Sequence, residues 1–129
     1  MLKKYILLLM VLSFGYGYLV EDVIERYENG YLKKVNYYER ILVNGYENQI
    51  LVKERAYYQN GQLKYEYNYK DGKENGRQVA YYENGQILYD GNYKDDERYG
   101  KFVRYYENGQ IEYVEEDDRE LRYYQDGQR

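Results

Sequence analysis

The chain has no cysteine, histidine, proline or tryptophan, and each absence removes a class of chemistry. Without cysteine there is no disulfide, no thiol nucleophile and no thiolate zinc site, and without histidine the commonest general base and metal ligand is missing. Only carboxylates, lysine, arginine, tyrosine and Ser13 remain as reactive groups. The missing proline has a structural meaning, because a proline inside a sheet deletes a ladder hydrogen bond. What is present is just as uneven: 23 tyrosines against 2 phenylalanines, with 12 glycines, in 129 residues. That length suits one domain.

The first residues differ from the rest. Lys3 and Lys4 precede an apolar stretch, Tyr5 to Leu12, followed by the small residues Ser13, Gly15 and Gly17. This is the layout of a secretory signal peptide. The apolar run is about half of the roughly 20 residues that a spanning helix needs. The expectation is a signal helix over residues 1–17, cleaved after Gly15 or Gly17, and an exported domain over 18–129 in the periplasm, on the cell surface or secreted. The alternative is an uncleaved helix tethering the domain to a membrane, which would be its only membrane contact. No cysteine follows the apolar run, so a bacterial lipobox is excluded. Loss of Lys3 and Lys4 takes the formal charge from -4 to -6. An acidic domain is poorly suited to nucleic-acid backbones or anionic membranes.

Beyond that segment the chain repeats itself. Tyr82-Glu83-Asn84-Gly85-Gln86-Ile87 returns 24 residues later as Tyr106-Glu107-Asn108-Gly109-Gln110-Ile111, and stands 24 residues earlier as Tyr58-Gln59-Asn60-Gly61-Gln62-Leu63. Looser copies begin at Tyr27 and Tyr124. A fixed period of this size marks an array whose units bury their apolar sides only against neighbours. Function is then to be sought in a repeated surface rather than a single pocket. A second punctuation mark lies between the phrases, at Asp71-Gly72 to Asn75-Gly76 and, 24 residues on, Asp95-Asp96 to Gly100.

The segments between these marks alternate. Leu63, Tyr65, Tyr67 and Tyr69 fall on one side of Lys64, Glu66 and Asn68, and a period of two is a strand. Asn-Gly between alternating runs predicts hairpins with type I′ turns. The fold class expected is therefore all-β, a single-layer antiparallel β-meander of tandem hairpins. Strands are expected at Gln62 to Lys70, Arg77 to Tyr82, Gln86 to Lys94 and Lys101 to Tyr106, with regular units at about 62–85 and 86–109 and a terminal cap at 110–129. Tyrosine rings stacked across strands are expected to replace a conventional core, since each ring packs while its hydroxyl stays hydrated. Cross-strand aromatic pairs contribute roughly 0.2 to 1 kcal/mol each. Gly91, between Tyr89 and Tyr93, leaves backbone open for a neighbouring ring.

The array is irregular at both ends. Gly30 to Gly61 spans 31 residues instead of 24, and Tyr46-Glu47-Asn48-Gln49-Ile50 reads as a decayed phrase without its glycine, followed by a strand at Gln49 to Lys53. At the other end the spacing falls to 18 and Glu115 to Asp118 replaces the longer loop. Atypical terminal units suit caps.

This pattern resembles the MORN family, in the variant found in many bacterial exported proteins. Leu63 to Gly85 and Ile87 to Gly109 carry nearly complete copies, the second with Tyr89-Asp90-Gly91-Asn92-Tyr93-Lys94 and Gly100-Lys101 matching the family's Tyr-x-Gly-x-Tyr-Lys and Gly-Lys elements. It departs from the pattern at Asp96, where the family usually has glycine. The resemblance implies single-layer sheets acting as docking surfaces or scaffolds, linked in some eukaryotic proteins to phospholipids. Bacterial members are often labelled antitoxins of toxin-antitoxin systems. Some inherit a phosphatidylinositol phosphate kinase label, for which this chain has neither a phosphate-cradling loop nor room.

The expected function is thus non-enzymatic: an exported interaction or scaffold module with a protein partner and no cofactor. The alternatives are an antitoxin-like neutraliser of a toxin and, less directly, a lipid- or glycan-binding surface. The candidate interaction surface is Tyr65, Tyr67, Tyr69, Tyr89 and Tyr93, with self-packing as the competing role for the same rings. Asn60, Gly61, Gly72, Gly76, Asn84, Gly85, Gly100, Asn108 and Gly109 are assigned to structural turns. The acidic groups at Asp95 to Glu97 and Glu115 to Asp118 lack the order of a calcium loop and read as solvated. No pair of carboxylates is fixed at a separation useful for glycoside cleavage. Sheet edges offer a second route to partners, including another copy of the chain.

Overall fold

The computed structural model describes residues 17–116 and, as backbone, 119–122. The expected signal helix and the last copy of the phrase lie outside the described residues. What is described is one antiparallel sheet built from β1 (Tyr18–Arg26), β2 (Leu32–Val43), β3 (Tyr46–Tyr57), β4 (Leu63–Lys70), β5 (Lys73–Glu74), β6 (Gly76–Tyr81), β7 (Ile87–Lys94), β8 (Glu97–Tyr105), β9 (Ile111–Glu116) and β10 (Arg119–Arg122). Strands lie side by side in chain order, with short β5 folded back onto the end of β4. The sheet does not close, so β1 and β10 are its edges.

Two loop types alternate along it, and they are assigned differently from the sequence expectation. At each repeated phrase the amide of the leading tyrosine donates to the residue four on, and the glycine amide donates back: Tyr58 N to Gln62 O is 2.8 Å and Gly61 N to Tyr58 O is 2.9 Å. The same pair of bonds recurs at Tyr27, Tyr82 and Tyr106. Only the glycine has positive φ, +86° at Gly30, +87° at Gly61, +86° at Gly85 and +84° at Gly109. This is the three-residue loop with a glycine bulge, not a type I′ turn.

The type I′ geometry, positive φ at two successive residues, occurs instead at Asn44-Gly45, Asp71-Gly72 and Asp95-Asp96. Asp96, at φ 71°, occupies the place of Gly72. Its carboxylate Oδ1 accepts the Glu74 amide at 2.8 Å and its own amide donates to Glu74 O at 3.1 Å, which ties the non-glycine residue down.

Two glycines expected in turns stand in strands. Gly76 opens β6 opposite Tyr93, and Gly100 lies within β8, where the register jumps from Gly91↔Phe102 to Asn92↔Tyr99. Both keep positive φ because extra residues on one strand force a bulge. The segment at Tyr46 to Ile50 is not a decayed loop either. It belongs to a 12-residue strand, and the reversal comes earlier, at Asn44-Gly45.

The core also differs from the expected tyrosine ladder. The buried apolar residues are Val35, Ala56, Val79, Ala80, Phe102 and Val103, and every described tyrosine keeps partial or full exposure. Phenol hydroxyls want water or a partner, so the rings lie beside the buried positions instead of filling them. Register places Ala80 between Tyr65 and Tyr89 on one face. On the opposite face a row runs Val35, Arg55, Glu66, Val79, Asp90, Val103, Val114 across seven strands. Within that row Arg55 pairs with Glu66 at 2.5 Å, and Asp90 is held by Arg77 through two bonds of 2.8 and 2.7 Å.

Candidate functional site

Alternation along β4 puts Tyr65, Tyr67 and Tyr69 on one face, and the register through Ala80 puts Tyr89 and Tyr93 of β7 on the same one. The five are half-buried. Tyr65 and Tyr67 stack, with ring centroids 4.3 Å apart, and the hydroxyls of Tyr67 and Tyr89 share a hydrogen bond across the gap between hairpins. Tyr89 then stacks on Phe102 at 5.5 Å, Tyr93 meets Phe102 edge-on at 6.4 Å, and Phe102 stacks on Tyr113 of β9 at 6.0 Å. A continuous aromatic strip thus crosses five strands. Phe102 and Tyr113, which extend it, carry no local signal beyond alternation in their own strands.

Gly91 is what lets the strip close. A Cβ there would overlap the Phe102 ring, which lies directly on the glycine backbone. The equivalent position one repeat earlier is Tyr67, and the equivalent of Phe102 is Gln78. In that repeat the inward group is an amide instead of a ring. Gln78 is 2% exposed, and its side chain acts as a segment of strand: Oε1 accepts the Asn68 amide and Nε2 donates to Asn68 O, both at 2.8 Å. It fills the place where the β4–β6 ladder stops after two residue pairs. Gln78 was missed by sequence reasoning, since an isolated glutamine in a polar strand gives no signal.

Charged groups frame the strip. The Arg98 guanidinium sits 3.8 Å above the Phe102 centroid and is held by Glu115 at 2.5 Å. At the other end Glu54 accepts the Tyr65 hydroxyl at 2.6 Å and pairs with Lys34 at 2.8 Å. Burial raises the pKa of Tyr65, Tyr67, Tyr69 and Tyr89, in Tyr65 with a further rise from the Glu54 bond and in Tyr89 from the Tyr67 bond. Tyr69 is pushed up to about 12, by burial first and then by Glu54. All four stay neutral, and so stackable, through physiological pH.

A second recurrent set of contacts runs along the loop edge. The Tyr27 hydroxyl donates to Tyr57 O at 2.9 Å, Tyr58 to Tyr81 O at 2.7 Å and Tyr82 to Tyr105 O at 2.9 Å, each reaching the next loop in the array. Asn60 and Asn84 do the same with their side-chain amides, donating to Glu83 O at 3.4 Å and Glu107 O at 3.1 Å, while their Oδ1 atoms accept the amides of Gln62 and Gln86, both at 2.9 Å. Asn108, in the last described loop, accepts the Gln110 amide at 2.9 Å. The repeated Tyr-x-Asn-Gly phrase is therefore a loop and a clamp on its neighbour at once. At the opposite edge, Gly72 completes a type I′ turn, and Lys70, Asn75, Gly76, Lys94, Tyr99, Gly100 and Lys101 border an open groove of about 480 Å³.

Chemically, this surface offers aromatic area, hydroxyls and framing charges. Among the described residues no group of three or more acidic side chains converges as a metal site, and no helix is long and apolar enough to cross a membrane.

The family model for the MORN repeat variant matches residues 52–71, 74–95 and 98–116. Each match is one hairpin closed by an Asn-Gly loop, and the type I′ turns at Asp71-Gly72 and Asp95-Asp96 fall at the joints between matches. The loop at Tyr27 to Tyr31 has the same bonds although it lies before the first match. No match was found among curated proteins or among solved structures. The structural unit and the matched unit coincide: three tandem hairpins of the sheet are similar to the MORN repeat variant.

Proposed function

We propose that the protein is a non-catalytic, exported interaction module whose aromatic strip docks a protein partner in the cell envelope. MORN repeats commonly serve as protein- or membrane-interaction modules. The observation that carries the reading is the strip itself: five half-buried tyrosines with Phe102 and Tyr113, framed by Arg98–Glu115 and Lys34–Glu54. Rigid rings with hydrated hydroxyls supply contact area at low entropic cost and are favoured at interfaces. Supporting the absence of catalysis is the composition, which has neither cysteine nor histidine. Export rests on the basic and apolar pattern of the first residues.

A photo-crosslinking residue placed at Tyr69 or Tyr93, with a control at Tyr46, tests this in cells. Adducts specific to the first two positions are expected. Adducts at neither, or equally at all three, would count against the docking face. The antitoxin alternative makes a different forecast, relief of a neighbouring gene's toxicity on co-expression. Cell fractionation with mass determination of the mature N-terminus tests export.

A further inference from the structure

Six asparagines precede glycine, at 29, 44, 60, 75, 84 and 108. Such a pair is chemically labile, because the small following residue lets its backbone nitrogen reach the asparagine Cγ. The nitrogen attacks that carbon, ammonia leaves, and a five-membered succinimide forms. Water then opens the ring at either carbonyl to give aspartate or β-linked isoaspartate. Ring closure requires the loop to loosen and the glycine N–H to be free.

The fold treats the six pairs unequally. At Asn60 the side chain is held at both ends, by Gln62 N at 2.9 Å and Glu83 O at 3.4 Å, and the attacking Gly61 amide is occupied by Tyr58 O at 2.9 Å. Asn84 is held in the same way, by Gln86 N at 2.9 Å and Glu107 O at 3.1 Å, with Gly85 N on Tyr82 O at 3.0 Å. Asn75 has no side-chain hydrogen bond among the described residues, but its glycine belongs to β6 and faces Tyr93. Asn44 differs from all of them. It forms the tip of the β2–β3 hairpin, both it and Gly45 are exposed, and among the described residues neither its side-chain amide nor the Gly45 N–H has a partner.

We propose that Asn44-Gly45 is a site of spontaneous deamidation and isomerisation, and that the inter-repeat clamp protects the asparagines of the repeated phrase from the same reaction. The isoaspartate form inserts an extra carbon into a two-residue turn, which cannot keep Val43 opposite Tyr46. The reaction also places a new carboxylate beside the exposed side chains of Leu42, Val43 and Tyr46.

The test is peptide mass spectrometry of the full folded chain aged at mildly alkaline pH, following the mass gain at each asparagine. Asn44 is expected to convert about tenfold or more faster than Asn60 and Asn84, since each of those must first break several hydrogen bonds. In denaturant the three rates should converge, and Tyr82→Phe should accelerate Asn84 in the folded chain without changing Asn44. Conversion of Asn60 or Asn84 as fast as Asn44 in the folded chain overturns the proposal. A rate gap that persists in denaturant overturns it as well, because the fold would then not be its cause.

Discussion

The first three strands and the hairpins that follow belong to one sheet and are held together by different means. Between Tyr65 and Tyr113 the strands share the aromatic strip, with four ring–ring contacts among the described residues. Across β1 to β4 five ion pairs bridge the strands: Lys33–Glu25 at 2.5 Å, Lys34–Glu54 at 2.8 Å, Arg40–Glu47 at 3.7 Å, Lys53–Glu66 at 3.4 Å and Arg55–Glu66 at 2.5 Å. The exposed one, Lys33–Glu25, contributes little, whereas a buried ring contributes much more.

The cause is geometric. The clamp from Tyr27 to Tyr57 spans 30 residues and the clamp from Tyr58 to Tyr81 spans 23, yet the bond is the same. The extra length is therefore absorbed at the far end, where β2 and β3 overshoot β4 and residues 42–49 are exposed. Leu42 is 64% and Tyr46 75% exposed there. A hairpin of standard length is gripped by its neighbours on both flanks; one that overshoots is gripped on one flank only, here by Tyr18 of β1 donating to Glu47 at 2.6 Å.

The contrast breaks most sharply at Phe102. Its replacement by alanine is expected to cost about 3 to 5 kcal/mol in denaturant unfolding, because it empties the centre of the strip. If Phe102→Ala left the unfolding midpoint near that of the wild type, the strip would not be what holds the hairpins. Gln78→Leu should cost about 1 to 3 kcal/mol, since the half-buried Asn68 N–H loses its acceptor while volume is kept. A neutral result would show that the β4–β6 junction does not need its side-chain bridge. Removing one clamp hydroxyl with Tyr82→Phe should cost about 0.5 to 1.5 kcal/mol. The control Tyr46→Phe, at the exposed tip, should have no measurable effect.

Alkaline titration probes the packing of the strip through its hydroxyls. The four strip tyrosines have folded pKa values raised above the unfolded value of about 10, so their neutral, packed forms contribute fully below pH ~10. As pH rises the unfolded chain ionises first, and that contribution is lost through the folded values, Tyr69 at about 12 among them. Stability should fall steadily above pH ~10. A flat profile across that range, measured by denaturant midpoints, would contradict the assigned burial.

Much of this fold could be read from the residues. The 24-residue period and the alternation at Tyr65, Tyr67 and Tyr69 placed β4 and β7 within a residue or two, and Gly91 is indeed covered by a ring. Loop type was not legible, because Asn-Gly satisfies both a type I′ turn and a glycine-bulge loop and only the hydrogen bonds distinguish them. Asn44-Gly45 lacks the leading tyrosine of the repeated phrase, yet it is the Asn-Gly pair that does form a type I′ turn. The valine row was also hidden. Val35, Val79 and Val103 are separated by many residues and share one row only through strand register, with Arg55, Glu66 and Asp90 between them.

Hydrogen exchange resolved by residue tests most directly whether the aromatic strip, and not the sheet ladder alone, holds the array. The account predicts that amides of β6, β7 and β8 exchange slowest and those of residues 40–50 fastest, and that Phe102→Ala abolishes most of the difference. Equal protection of β7 and the β2–β3 tip in the wild-type chain would contradict it.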